Sequence, residues 1–195
     1  MCAGLLLATL AVPSAMQTTA KPPPAPLTLE IRVFNGAEEV TSQTRIAVHR
    51  AGDHATPVAN VKAGAGRLLI SLEPGVYDVQ AIRERDGRAV GIRWAERLTV
   101  MPYPDEGGRH LEVINFLNGF GALEIVRRDS GVPDASVYAP GERARAAAQG
   151  LPGKGYLLFV LRAGTYDLEL RNQSVSTWRP GLEIPLDRTR VWVVQ

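Results

Sequence analysis

Three histidines, 20 acidic side chains and a scattering of aromatic residues are the parts of this sequence with which chemistry could be done. His49, Asp53 and His54 lie close together, but a metal centre needs convergent ligands, usually three or more. His49 falls on an alternating run and the other two in the turn after it, so a solvated strand end is expected there. His110 opens another alternating run on its outward phase and is expected to be exposed. Arg83, Glu84, Arg85, Asp86 and Arg88 read as a charged, solvated hairpin tip. There is no Gly-rich phosphate loop, serine nucleophile elbow or aspartate-rich calcium loop. The one cysteine, Cys2, lies in a segment expected to be removed, which leaves no thiol chemistry, disulfide or cysteine-based metal site. The expectation is a protein that is not an enzyme and carries no metal and no cofactor.

Aromatic residues offer a second kind of chemistry, because sugars stack on exposed Trp and Tyr rings. Trp192, with Tyr103 or Tyr156, is the candidate surface platform for such binding. Trp94 and Trp178 occupy matching places in two halves of the chain, and a shared core role is expected for them.

The elements that must position these residues come next. The N-terminal run Ala3–Val12, AGLLLATLAV, has signal-peptide length and is far short of a membrane span. Residues 1–15 are therefore expected to be a signal peptide, although no Lys or Arg precedes the apolar run. Residues 16–26 follow as a linker, in which Pro22-Pro23-Pro24 favours a semi-rigid polyproline spacer. The net charge of +2 is too small to imply nucleic acid or an anionic membrane as a partner.

From Leu27 onward the chain alternates apolar and polar residues, the period-2 signature of half-buried strands. Asn35-Gly36 and Asp86-Gly87 are hairpin signals. The stretch Gly66–Ile82, GRLLISLEPGVYDVQAI, returns 89 positions later as Gly155–Leu170, GYLLFVLRAGTYDLEL. Flanking strands return too, at offsets that fall from 94 to 80 along the chain, so insertions and deletions lie between strands while strands keep register. Two β domains follow from this, residues 27–117 and 121–195, joined at Asn118-Gly119. The fold class is all-β, two tandem sandwiches of about seven strands each. The one helix candidate is Gly141–Gly150, GERARAAAQG, rich in Ala and Arg.

Each repeat carries Leu-x-x-Gly-x-Tyr-Asp, as Leu72–Asp78 and Leu161–Asp167. This motif resembles the carboxypeptidase-regulatory-like and prealbumin-like (transthyretin-like) sandwiches. Gly75 and Gly164 are expected to supply the positive φ of a turn. Tyr77 and Tyr166 are expected to bury a ring and bond backbone at a sandwich corner. Asp78 and Asp167 should face the other way, exposed or bonding loop amides. The hydrolase chemistry and the Lys-to-Asn isopeptide chemistry of related sandwiches do not carry over. The first needs a Tyr-Arg-Gly-Ser ending, and the second a lysine in each first strand, which Leu27–Phe34 and Leu123–Arg128 lack.

What the resemblance implies is an accessory role. The expectation is an exported, periplasmic or extracellular tandem β-sandwich, acting as a structural or protein-interaction module at the cell envelope. Its partner would be another envelope or secreted protein. The alternative is a carbohydrate-binding module built on the aromatics named above.

Overall fold

β-Branched and aromatic residues alternate with polar ones between Gly, Pro and Asn turns, a pattern that makes nearly every segment extended. The computed structural model describes residues 26–62, 68–101, 109–128, 131, 134–172 and 175–194. The expected signal peptide, the linker to residue 25, and Tyr103 lie outside the described residues. The first half of the chain holds β1 (Leu27–Asn35), β2 (Glu38–Glu39), β3 (Thr44–Arg50), β4 (Ala59–Lys62), β5 (Leu68–Leu72), β6 (Gly75–Arg85), β7 (Arg88–Val100) and β8 (Arg109–Asn115). The second half holds β9 (Phe120–Arg127), β10 (Asp134–Tyr138), β11 (Ala146–Ala148), β12 (Leu151–Pro152), β13 (Tyr156–Arg162), β14 (Gly164–Asn172), β15 (Val175–Ile184) and β16 (Thr189–Val194).

In the first sandwich β1 pairs in parallel with β8 and antiparallel with β5 and β2, and the facing sheet runs β4-β3-β6-β7. In the second, the sheets run β12-β13-β9-β16 and β11-β10-β14-β15. The repeat survives at the level of single pairs. Leu29 opposes His110 as Leu123 opposes Arg190, and Gln80 opposes Trp94 as Glu169 opposes Trp178. A register shift follows Tyr77 in one sheet and Tyr166 in the other, so even the bulge is duplicated. Each sandwich closes around its own core. Leu29, Ile31, Val33, Ile46, Val48, Leu68 and Val79 fill the first; Leu123, Ile125, Val137, Phe159 and Leu168 fill the second.

A third core joins them. Along β1 the residues Leu27, Leu29, Ile31 and Val33 face the first sandwich, while Glu30, Arg32 and Phe34 point the other way and are buried as well. Phe34, Leu111 and Val113 of the first sandwich pack on Ala122, Val126, Tyr156, Leu158 and Val160 of the second. The period-2 pattern of β1 reads as half-buried because its second face is polar; that face is covered by the neighbouring sandwich instead of by water. Burying each large apolar side chain here contributes about 1.5–3 kcal/mol, which offsets part of the modest stability of sandwiches this small.

The expected helix at Gly141–Gly150 is absent, and its Ala146–Ala148 forms β11 against β10. Alanine's helix preference amounts to a fraction of a kcal/mol per residue, less than sheet pairing and the packing of Ala148 on the second core provide.

Candidate functional site

The repeated aspartates lie on β6 and β14, pointing away from the cores because their neighbours Tyr77 and Tyr166 point in. Both carboxylates are buried nonetheless, since a loop folds over each. Asp78 Oδ1 accepts the Arg97 amide at 2.8 Å, and Oδ2 accepts the Gly52 amide at 2.8 Å with His54 Nε2 at 2.9 Å. Asp167 repeats the arrangement: Oδ1 takes the Gly181 amide at 3.0 Å, and Oδ2 takes the Gly141 amide at 2.9 Å and Arg143 Nη1 at 2.7 Å. Each carboxylate thus ties the loop after the second long strand to the bulge in β7 or β15. Arg97 sits at that bulge with φ 56°, a left-handed conformation that its counterpart Gly181 adopts without strain.

A tryptophan lies beside each clamp. His54 stacks on Trp94 with ring centroids 4.3 Å apart, and Arg143 lies 4.1 Å over the Trp178 ring. His49 and Tyr138 hold matching places at 5.4 and 5.1 Å. The shared core role expected for Trp94 and Trp178 is therefore corrected: they share a role, on the outer sheet faces, under loop side chains. His49 is buried beneath the same loop instead of ending a solvated strand. Among the described residues no three His, Cys, Asp or Glu side chains converge on a metal position.

Hydrogen bonding holds Asp78 down at about 2, chiefly the Gly52 and Arg97 amides and then His54. Asp167 is likewise held at about 2, first by Arg143 and then by its two amides. A carboxyl depressed on folding contributes stability above its ordinary range and loses it as pH falls through the folded value. Asp78→Ala is expected to cost about 1–3 kcal/mol near neutral pH, because two loop amides lose their acceptor. In urea unfolding at a series of pH values, the gap between wild type and variant should close as pH falls toward about 2. A gap independent of pH would contradict the clamp.

The tyrosines make the corner contacts. Tyr77 Oη donates to the Glu73 carbonyl at 2.8 Å, and Tyr166 Oη to the Arg162 carbonyl at 2.9 Å. Gly164 has φ 155°, but Gly75 does not take a positive φ, so the expectation of one shared turn conformation fails. At Gly75 the constraint is space, since a Cβ there would meet the Tyr77 ring at 3.3 Å.

The place of Tyr156 in the aromatic platform is also corrected. Tyr156 is fully buried between the sandwiches. Trp192 is half-buried against the second core, with Arg179 at 5.1 Å over its ring. His110 is buried rather than exposed, because it shares a face of β8 with Ile114, which packs in the first core, and pairs with the inward Leu29.

The polar groups that sequence reasoning passed over sit in the third core. Glu30 and Glu124 are 2% and 0% exposed and flank Arg109, which pairs with Glu124 and lies 3.6 Å from Glu30. Tyr156 Oη donates to Glu30 Oε1 at 2.7 Å, and the Arg109 guanidinium lies 4.4 Å over the Tyr156 ring. Burial pushes the Glu124 carboxyl up, and Arg109 opposes the shift. Burial and the bond to Glu30 push Tyr156 up to about 12. The available signal was the repeat itself: Leu-Glu-Ile occurs at both 29–31 and 123–125, and a glutamate kept in both copies marks a shared position.

No protein-family model and no curated protein sequence matches the chain. Among solved structures, the Bacillus anthracis TIE protein is 17% identical at a TM-score of 0.33, covering 88% of this chain and 34% of that one. A candidate adhesin from Bacteroides ovatus is 9% identical at a TM-score of 0.33, covering 97% and 94%. The minor pilin GBS52 of Streptococcus agalactiae is 11% identical at 0.26, covering 86% and 94%. The chain spans about a third of the TIE protein's length.

Proposed function

We propose that this chain is a non-catalytic, rigid two-domain spacer and protein-interaction module that acts outside the cytoplasm, at the cell envelope, beside another envelope or secreted protein. The observation that carries the reading is the third core. Phe34, Tyr156 and Leu158 are fully buried between the sandwiches, so the pair is built to hold one relative orientation. The polar clusters fit the same reading, because Asp78, Asp167 and Glu169 direct their hydrogen bonds to holding loops and strands in place. Export rests on the apolar run Ala3–Val12 and the Pro-rich spacer after it. Among the described residues no helix is long and apolar enough to cross a membrane. The carbohydrate alternative loses Tyr156, which is buried, and is left with a Trp192 half-covered by the second core.

The test is whether the two sandwiches unfold together. Trp94 reports on the first and Trp178 with Trp192 on the second, so Trp94→Phe and the Trp178→Phe/Trp192→Phe pair separate their fluorescence. Coincident transitions by both signals and by far-ultraviolet circular dichroism are expected. Two separate transitions would mean that the sandwiches are independent beads, and would remove the spacer reading.

A further inference from the structure

The edge of the first sandwich, between β7 and β8, contains an acid for which its own fold has no packing need. Glu112 lies on β8 at the place that Trp192 takes on β16, and there the indole packs against the second core. Glu112 is 6% exposed and its Oε2 has no hydrogen-bond partner among the described residues. It borders a cleft of about 340 Å³ lined by residues of β7, β8 and the second sandwich. Across that cleft Thr189 bridges the two sandwiches, since its Oγ1 accepts the Val113 amide at 2.9 Å. The same threonine lines the cleft beside the Glu112 carboxyl. The turn before it is anchored alongside, by Arg188 Nη2 to the Glu96 carbonyl at 3.3 Å and by Asp187 to Arg93 at 2.9 Å.

We propose that Glu112 is a proton-operated latch between the sandwiches: neutral, it lets the turn at Asp187–Thr189 seat against the β7–β8 edge; ionised, it favours lifting that turn so that water reaches the carboxylate. The charged groups facing it are Arg97 from β7, His110 from β8 itself and Arg188 from the turn. Burial opposes ionisation, while the neighbouring Thr189 hydroxyl and the Arg188 charge favour it; burial prevails and pushes the carboxyl up to about 7. His110 is shifted in the opposite direction, since burial and then Arg109 lower its pKa. The sign follows from linkage. An acid whose closed-state value is raised stabilises the closed state at low pH, and this contribution fades as pH rises from the ordinary glutamate range to about 7. Other contacts anchor the turn, so the module loosens locally rather than unfolding.

Amide hydrogen exchange across Leu111–Asn115 and Asp187–Val191 in the full chain, corrected for intrinsic rates, reads the latch. Between about pH 5 and about pH 7 the opening constant should rise steeply, approaching about tenfold per unit, and then level off. In Glu112→Gln the dependence should vanish, with protection held at the acid-side level. In His110→Gln the dependence should remain. A wild type without the pH dependence, a Glu112→Gln protein that keeps it, or a His110→Gln protein that loses it would overturn the proposal. If Glu112→Gln does not fold, carboxyl-carbon magnetic resonance of Glu112 in the wild type decides. A midpoint near 7 supports the latch, and one in the ordinary glutamate range overturns it.

Discussion

Replacing Arg109 by leucine is expected to lower the unfolding free energy by about 3–5 kcal/mol at neutral pH, the largest loss from any single charge removal here. The guanidinium is the cation between Glu30 and Glu124, both of which are out of water. Without it two carboxylates face each other in a buried interface, and each has lost the interaction that offset its desolvation. The pH dependence distinguishes this cause from lost packing. Burial already raises Glu124, and removing Arg109 raises it further. A carboxyl raised on folding is tolerated at low pH and costs more as pH rises, so the deficit of the variant should shrink in acid. Urea unfolding of both proteins at neutral pH and near pH 5 measures it. A loss of the same size at both would assign the effect to the guanidinium's contact with the Tyr156 ring.

Tyr156→Ala is expected to cost about 3–5 kcal/mol, as for other large aromatic side chains removed from a core. The ring is fully buried where the sandwiches meet, and its hydroxyl donates a hydrogen bond across the interface to Glu30. Tyr156→Phe separates the two contributions. It keeps the ring and leaves Glu30 short of a donor, at about 1–3 kcal/mol. The alanine variant should also change the form of unfolding. With the third core weakened, the fluorescence of Trp94 and that of Trp178 and Trp192 should no longer follow one transition. A smaller loss with a single shared transition would show that the sandwiches are held together chiefly elsewhere, for instance at Arg93, Asn118 and Asp187.

How much of this was legible in the chain depends on the range of the interaction involved. The duplicated Leu-x-x-Gly-x-Tyr-Asp and the flanking alternation are local, and each pair they imply reappears at matching register, down to the bulge after Tyr77 and Tyr166. Alternation also separates the two faces of β6, placing Tyr77 inward and Asp78 outward. It cannot say what covers an outward face. Asp78 was open to exposure or to bonding loop amides, and Trp94 was expected in a core; both instead lie on the outer sheet face, under the loop that brings Gly52 and His54.

Most strands, their duplication and the two inner cores were legible from local pattern, because period 2 and turn residues act over a few neighbours; β11, expected as helix, was not. The network of Glu30, Arg109, Glu124 and Tyr156, and the burial of Glu112 beside the cleft between the sandwiches, come from the assembled fold. Those contacts join residues from different sandwiches, and packing the polar face of β1 against another sheet leaves no mark on its alternation. The chemistry-bearing residues that stood out first, His49, His54, His110 and the aromatics, took their meaning from the same source. Most of them are covered by parts of the chain far from them in sequence, and what covers a side chain decides whether it binds, titrates or only packs.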